Sequence, residues 1–434
     1  MALQNPKLTL LHATAINMID MVGIGPFVVM PMVVGYFSSG LFIWAWVFGA
    51  ITALVDGMIW AELGARYPRA GGTYNFHRIA FGEKGGKLMS FLFVWQTSIQ
   101  APLVVASASI GFAQYLTYLL PLSSAQQSMV SGALVILVFL MLYRKIETIG
   151  KISVIMGTIV ILTMLWIIIS GFTHQQYSIN IIPKAPDSFF SFAFWAAVSH
   201  GSLKTVYSYL GYYNVCHLGS EIKDPGKNIP KSIFISIAGI ALLYLLMNIA
   251  VMGVIPWQEA GAMDKYLVSN FMERLFGNGA AVLVTVLILC IALSSLFAVV
   301  LGYSRIPYAA AVDGNFFKPF AALHPKKNFP YVSLIVLCSI GFIFSLLFRL
   351  SDVITAILAM RILIQFIAQS AGVVLLRRKN GSRDLPFRMW AFPVPVILSI
   401  LIWSFLFIST GWFALYGMLI ALLGVGIFFI KDRI

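Results

Sequence analysis

The stretch MIDMVGIGPFVVMP, residues 18–31, interrupts the first hydrophobic segment of the chain. Asp20, Gly23, Gly25 and Pro26 stand there, where a membrane-spanning helix would cross the middle of a bilayer. Glycine and proline weaken the helical hydrogen-bond ladder, and in lipid a freed backbone group is tolerated only if it is buried in protein or lines a water-filled cavity. The stretch therefore predicts a helix break that forms a binding site for a solute.

The composition of the chain excludes a water-soluble globule. The sequence has 434 residues, of which 60% are hydrophobic and only 10% charged, and its mean hydropathy is +0.91. These values indicate an all-α membrane protein with many spans, in which residues 1–434 form a single domain without a sizeable aqueous part. The first apolar run is too long for a cleaved signal peptide, so we expect the mature protein to keep its start.

Apolar runs of spanning length predict twelve transmembrane helices. The first six are expected at about 9–36, 40–62, 87–119, 125–143, 149–172 and 189–218. The second six are expected at about 229–255, 278–312, 331–348, 351–376, 391–410 and 412–430. Runs 87–119 and 278–312 exceed a minimal span and therefore predict helices that tilt or extend beyond the membrane.

The basic residues predict the orientation of these helices. With both termini in the cytoplasm, most of the 29 Lys and Arg residues fall on cytoplasmic segments, as the positive-inside rule requires. The same rule accounts for the net charge of +14, because the basic residues are spread over many segments and do not form one face for nucleic acid. We therefore expect an integral protein of the cell membrane with the lipid bilayer as its surroundings and no nucleic-acid partner.

A second interruption lies in the sixth predicted helix, in the stretch KTVYSYLGYYN at residues 204–214. Ser208, Gly211 and Asn214 stand there among aromatic residues. Paired broken helices at corresponding places in two halves are typical of inverted-repeat transporters with a site at the membrane midplane. The spacing of five helices predicts one repeat over about 9–172 and a second over about 189–376, followed by two further helices over about 391–430.

Five motifs in this order resemble the amino acid-polyamine-organocation superfamily over nearly the full chain. They are GIGPF at 23–27, YSYLG at 207–211, SEIKDPGKNIPKSI at 220–233, YSRIPYAAAVDGNFFKPFAALHPKKNFP at 303–330 and RRKNGSRDLPFRMWAFPVP at 377–395. The resemblance implies a secondary active carrier of amino acids or related amines that works by alternating access in the five-plus-five inverted-repeat fold. It implies no obligatory protein partner and no cofactor beyond a coupling ion, H⁺ or Na⁺.

The first break predicts a site that reads both charges of an amino acid. The N–H groups of Ile24, Gly25 and Phe27 lie at a new helix N-terminus, which attracts a carboxylate, while glycine at 23 and 25 permits close approach to the backbone. Carbonyl oxygens at residues 18–21 and at Tyr207 and Ser208 can accept hydrogen bonds from an ammonium group.

Four tyrosines around the second break are candidates for the side-chain pocket and for an aromatic gate. Tyr207 and Tyr209 match the helix-six motif of the resembled family and are favoured over Tyr212 and Tyr213. Packing between helices is the alternative explanation for each ring.

Asp20, Lys204 and Arg361 are charged residues that fall within predicted helices. A carboxylate at membrane depth is generally retained for function, so Asp20 is expected to bind a substrate amine or to carry a coupled proton. The alternative is a structural ion pair with Lys204, and an acid at this place also leaves a polyamine or another organic cation open as substrate. Arg361 is expected to hold Asp352, another acid or a substrate carboxylate.

The coupling ion stays open at the level of sequence. Ser294 and Ser295 resemble the hydroxyl groups that hold sodium in relatives of this fold, whereas the fifth helix lacks the mid-helix lysine of some proton-coupled carriers. The three cysteines show no metal-ligand spacing, and no enzyme motif such as HExxH or GxSxG is present. An enzyme is therefore disfavoured, and a sensor that binds without transport is a weaker alternative.

Overall fold

The computed structural model describes residues 8–37, 40–144, 146–178, 191–263, 266–348, 350–381 and 385–431. Over these ranges the regular structure is helical, with two isolated bridge pairs, Leu8 with Ile222 and Ala70 with Leu218. The helices before the second break are α1 Leu10–Met21, α2 Gly25–Gly35, α3 Ile43–Arg66, α4 Thr73–Ala80, α5 Gly82–Leu116, α6 Ser124–Leu142, α7 Ile146–Thr173 and α8 Phe192–Tyr209. The later helices are α9 Asn214–His217, α10 Pro225–Met252, α11 Trp257–Ala262, α12 Leu267–Phe276, α13 Asn278–Tyr303, α14 Arg305–Val312, α15 Tyr331–Leu347, α16 Leu350–Arg361, α17 Ala368–Asn380, α18 Val394–Ser409 and α19 Trp412–Lys431.

The all-helical membrane architecture expected from the sequence is confirmed. In the described part of the chain, eight helical segments are long and apolar enough to cross a bilayer, or nine if α1 and α2 form one bent span. Two shorter apolar helices, α15 and α18, lie at other predicted spans. Most boundaries agree with the predicted ones to within about five residues, because the apolar runs end where charged and turn residues begin.

The surface of the helical bundle is apolar where it faces outward. Along α7, the side chains of Ile155, Leu162 and Ile169 follow each other at intervals of seven residues and are about 60% exposed (63%, 61% and 59%). A seven-residue interval returns to the same helix face. Such a stripe of large apolar side chains would be unfavourable in water and identifies a lipid-facing surface.

Both predicted helix breaks are present. The first separates α1 from α2 at residues 22–24, and the two helix axes differ in direction by 44°. The second follows Tyr209 at the end of α8, where a turn at residues 210–213 leads into the four-residue α9. The glycine- and proline-containing motifs therefore interrupt the backbone at the places expected from the sequence.

Both interrupted helices lie in the interior of the bundle. The α1 segment packs against α7, α10 and α13, and α2 packs against α8 and α11. The α8 segment also packs against α3, which in turn packs along most of α10. These contacts bring the end of α1, the start of α2 and the end of α8 to one central region.

Two buried ion pairs tie helix ends and loops together. The Glu62 carboxylate at the end of α3 accepts hydrogen bonds from Arg377 Nε at 2.8 Å, from Arg377 Nη2 at 2.5 Å and from the Met389 N–H at 2.9 Å. Glu221 accepts a hydrogen bond from Arg305 Nε at 3.1 Å. Each carboxylate is enclosed with its counter-charge, and these contacts fix the loops after the second break and after α17.

The helical segment that contains Arg361 is interrupted by a π-helical turn. Residues Ile362–Ile367 form this turn between α16 and α17. The π-turn carbonyl of Ile364 lies 2.8 Å from Nε2 of His77, which is on the short helix α4. A π-turn is frequently found at a functional site, and here it follows directly after the buried Arg361.

Replacing Glu62 by Gln is expected to lower the stability of the protein substantially. The variant keeps the shape of the side chain but leaves Arg377 buried without a counter-charge, and breaking one partner of a buried pair costs about 3–5 kcal/mol. Thermal unfolding of the purified protein in detergent, followed by tryptophan fluorescence, measures the effect. The matched control is Glu259→Gln, which breaks the exposed pair with Arg274 and should cost about 0–1 kcal/mol. Equal shifts for both variants would contradict the structural role of Glu62.

Candidate functional site

A cavity of about 50 Å³ lies between the two helix breaks. Residues of the first break and its flanking helix ends form one wall, and residues of the second break form the facing wall. Helices α5, α13 and α16 close the remaining sides. The first wall consists of Asp20, Met21, Gly23, Ile24 and Gly25, the second of Tyr207, Ser208, Leu210, Gly211 and Tyr213, and the other sides of Val104, Ala108, Ser295, Val299, Tyr303, Ile357 and Arg361.

Glycines allow the two breaks to touch. Gly211 has a φ of +124°, and a Cβ atom on it would lie 2.7 Å from the main-chain nitrogen of Met21. A Cβ atom on Gly25 would already be 3.3 Å from Ser208 Oγ. Any side chain at 211 would therefore be strained in its backbone and would push the breaks apart.

The start of α2 presents free backbone donors. The N–H groups of Ile24, Gly25 and Phe27 donate no hydrogen bond to another described residue, whereas Val28 N–H donates to the Ile24 carbonyl at 3.2 Å. Because α2 has 11 residues, its N-terminus carries the partial positive charge of the helix dipole. Ile24 and Gly25 line the cavity, but the Phe27 side chain is fully buried outside its wall.

Tyr244 of α10 bridges the two breaks, and the sequence analysis did not identify it. Its hydroxyl lies 2.8 Å from the Met21 carbonyl oxygen and 3.1 Å from the Ser208 carbonyl oxygen. The single hydroxyl proton of Tyr244 is therefore shared between two carbonyl oxygens that were expected to face an ammonium group. A lone tyrosine within the apolar stretch IALLYLLMN at 240–248 is the signal that could have indicated such a buried polar contact.

The two serines proposed for ion coupling take different places. Ser295 Oγ lines the cavity and donates to the main-chain oxygen of Asp20 at 3.3 Å. Ser294 Oγ donates to the Cys290 carbonyl of its own helix at 2.7 Å. Ser295 therefore links α13 to the end of α1, while the hydroxyl of Ser294 is used within α13.

Arg361 is a charged neighbour of Asp20 in the structure. The Asp20 carboxylate interacts with the side chain of Asn214 and electrostatically with the Arg361 guanidinium. A pairing of Asp20 with Lys204 stays a prediction; the main-chain oxygen of Lys204 accepts a hydrogen bond from Ser208 Oγ at 3.1 Å. Arg361 is 2% exposed and its Nη1 donates to the Tyr213 hydroxyl at 2.5 Å. Arg361 also lines the cavity.

Only two of the four candidate tyrosines line the cavity. Tyr207 does so, with its hydroxyl 2.9 Å from Ser107 Oγ of α5, and so does Tyr213. Tyr209, which the sequence favoured, instead packs against Tyr244 at a ring-centroid distance of 5.1 Å. Tyr212 donates to Asp56 Oδ2 at 2.6 Å. Tyr207 and Tyr209 lie two positions apart on α8 and therefore point to different sides, whereas Tyr212 and Tyr213 lie in the turn that follows.

The fold and the cavity together define a class of protein. Several apolar helices make it an integral membrane protein, and a small cavity lies between two interrupted helices, with donors, acceptors and both charges in its walls. This combination is typical of membrane transporters.

The particular family follows from comparison with known proteins. A sequence model of the family described as amino acid permease matches residues 8–428. The chain belongs to this family, and its relatives are amino acid permeases of the amino acid-polyamine-organocation superfamily.

Several relatives are similar to nearly the whole chain. The branched-chain amino acid permease BcaP of Bacillus subtilis (strain 168) is 25% identical over 408 residues, which cover 90% of this chain and 85% of the relative. The aspartate-proton symporter of the same organism is 24% identical, and the match covers 86% of this chain and 73% of the symporter. The serine/threonine exchanger SteT of that organism is 24% identical, and the match covers 91% of this chain and 88% of the exchanger.

A leucine at position 25 is expected to abolish ligand binding without preventing folding. A Cβ atom there would meet Tyr207 and Ser208 at 3.3–3.4 Å, so the longer side chain must fill the cavity. Binding is measured as thermal stabilisation of the detergent-solubilised protein by a panel of L-amino acids. Gly426→Leu is the matched control, because nothing lies within 4 Å of a Cβ atom at this α19 position. Unchanged stabilisation of the Gly25→Leu protein would place the ligand elsewhere.

Proposed function

We propose that this protein is a secondary active transporter of amino acids that binds the zwitterion between its two helix breaks. The observation that supports this most directly is the cavity itself, which is lined by the ends of α1 and α8 and by the start of α2. Membership in the amino acid permease family supports the class of substrate. Both lines of support are independent, since one comes from geometry and the other from sequence similarity.

The two ends of an amino acid match different parts of the cavity. The N–H groups of Ile24, Gly25 and Phe27 at the start of α2 bind the α-carboxylate, because the helix dipole and the unpaired donors both favour a negative charge. The α-ammonium lies toward Asp20 and the carbonyl of Ser208. Tyr207 covers the ligand from the side of α8, with its hydroxyl held by Ser107.

In this proposal the transporter has twelve membrane spans arranged as a five-plus-five inverted repeat, and it works by alternating access. The positions of the breaks in the first and sixth predicted spans support this arrangement, since paired discontinuous helices characterise inverted-repeat carriers. Both termini lie in the cytoplasm of a cell-membrane protein on the basis of the basic residues. With this orientation, the Glu221–Arg305 pair and the contact of Leu8 with Ile222 close the cytoplasmic side.

Arg361 favours an amino acid over a polyamine as substrate. A polyamine brings two or more positive charges and no negative one, and the buried guanidinium in the cavity wall would repel it. A zwitterion brings a carboxylate as well. The names of the relatives span branched-chain, hydroxylated and acidic amino acids at nearly equal identity, so they support the class without deciding the side chain.

Asp20 carries the coupling proton in this proposal. Among the described residues that line the cavity it is the one acid, and its main-chain oxygen contacts Ser295 of α13. Proton uptake and release at this carboxylate therefore occur where the substrate and three helices meet. Sodium symport through the oxygen atoms around Ser295, and exchange, are the competing mechanisms.

Uptake into proteoliposomes tests transport and coupling together. Radiolabelled amino acids and polyamines are offered under an imposed proton gradient, a sodium gradient or an internal load of unlabelled amino acid. We expect uptake of at least one amino acid, stimulation by an inward proton gradient and no uptake of polyamine. Uptake of polyamine without any amino acid would contradict the proposed function, and stimulation by sodium alone would contradict proton coupling.

Asp20→Asn is expected to uncouple transport from the proton gradient. The amide keeps the size of the side chain but cannot exchange a proton, so gradient-driven uptake should fall to the level seen without a gradient. Exchange of amino acids and its pH dependence are measured in the same proteoliposomes, with Asp313→Asn outside the cavity as the control. If Asp20→Asn keeps gradient-driven uptake and its pH dependence, the carboxylate is structural.

A further inference from the structure

The cavity contains three charged poles, one more than the α-carboxylate and α-ammonium of a neutral amino acid require. The N-terminus of α2 and Asp20 provide one positive and one negative pole. Arg361 of α16 provides a second positive pole in the wall of the same cavity. We propose that this third pole selects a substrate with a second carboxylate, namely a short acidic amino acid whose side chain binds Arg361. This inference rests on the proposed amino acid transport.

The surroundings of Arg361 leave its hydrogen-bonding capacity largely unused. Its guanidinium has five N–H donors, of which Nη1 bonds the Tyr213 hydroxyl, while Nε is buried without a partner in the described structure. No salt bridge joins Arg361 to an acid among the described residues. The side chain of Asp352, which the sequence suggested as a partner of Arg361, lies outside the described residues. A buried polar group of this kind requires a partner, and a planar carboxylate is the partner that fits a guanidinium best.

Aromatic rings hold the guanidinium in place without using its donors. The Cζ atom of Arg361 lies 5.2 Å from the ring centroid of Tyr303 and 5.9 Å from that of Tyr213. Contacts between a cation and a ring face stabilise the charge electrostatically. The free donors at the edge of the guanidinium can then bind a ligand.

A purely structural pairing of Arg361 with Asp20 explains these observations less well. The two side chains interact electrostatically, but their charged atoms are not within the 4 Å of a salt bridge. Two buried charges that only compensate each other would be expected to form a direct, fully hydrogen-bonded pair, as Glu62 and Arg377 do.

The size and the remaining walls of the cavity favour a short side chain. Val104, Ala108 and Ile357 add apolar surface beside Arg361, which suits one or two methylene groups. The volume of about 50 Å³ is smaller than any amino acid, so the walls must move apart on binding, and a four-carbon dicarboxylic amino acid requires less movement than a longer one. L-Aspartate is the natural probe, and L-asparagine is its neutral isostere.

Equilibrium binding of these two probes tests the proposal. The purified full-length protein is titrated calorimetrically with L-aspartate, L-asparagine, L-serine and L-leucine, and the readout is the ratio of the dissociation constants for asparagine and aspartate. We expect aspartate to bind about 10- to 100-fold more tightly than asparagine, which is the range for a hydrogen-bonded charge pair. A ratio also cancels any uniform loss of affinity in a variant.

Substitutions at position 361 assign the preference to the guanidinium. Arg361→Met is expected to reduce the ratio to about 1, and Arg361→Lys to leave an intermediate value because a point charge replaces a bidentate donor. If Arg361→Met does not fold because Asp20 loses its counter-charge, the double variant Asp20→Asn with Arg361→Met restores neutrality and should give the same ratio. Arg274→Met, at an exposed position outside the cavity, is the control and should leave the ratio unchanged.

The outcomes separate this inference from the proposed function. If a neutral amino acid binds as tightly as aspartate, or if aspartate is still preferred in Arg361→Met, the inference is wrong and amino acid transport stands. If no amino acid binds and none is taken up by proteoliposomes, the proposed function fails and the inference fails with it. A preference for aspartate that disappears only in the Arg361 variants supports both.

Discussion

The structure depends on the need to satisfy backbone groups that are freed in the interior of a membrane protein. Interrupting α1 and α8 exposes N–H and C=O groups where lipid offers no hydrogen bonds. The protein supplies partners from distant helices: Tyr244 serves carbonyls at both breaks, and Ser295 serves the carbonyl of Asp20. The N–H donors at the start of α2 have no partner among the described residues, and Ile24 and Gly25 in this turn line the cavity.

This division between satisfied and unsatisfied groups explains why the cavity suits a charged solute. Donors remain free on the side of α2, and acceptors on the opposite side are already shared with Tyr244. The close contact of Gly211 with the end of α1 keeps both sets within reach of one small molecule. A movement of either half-helix would therefore change the shape of the cavity and the helix packing together.

Charge is used differently in the centre and at the ends of the bundle. Glu62 with Arg377, and Glu221 with Arg305, are enclosed and directly hydrogen-bonded, so they fasten the loops. Asp20 and Arg361 share the cavity wall without a direct bond, which leaves their charges available. Buried charge without a direct partner is unfavourable for stability, and a ligand of complementary charge relieves it.

The sequence by itself determined the membrane class, the approximate helix boundaries and both breaks, because apolar runs, Gly23, Pro26 and Gly211 act locally on the backbone. It also identified most of the cavity-lining residues, among them Asp20, Gly25, Tyr207 and Ser295. Only the tertiary structure decided which side chains share the cavity. Tyr209 and Tyr213 stand in one motif, yet the turn at residues 210–213 places only Tyr213 in the wall. Arg361 and Tyr244 come from α16 and α10, and their proximity to Asp20 and Met21 follows from the packing of helices far apart in the chain, which no local pattern encodes.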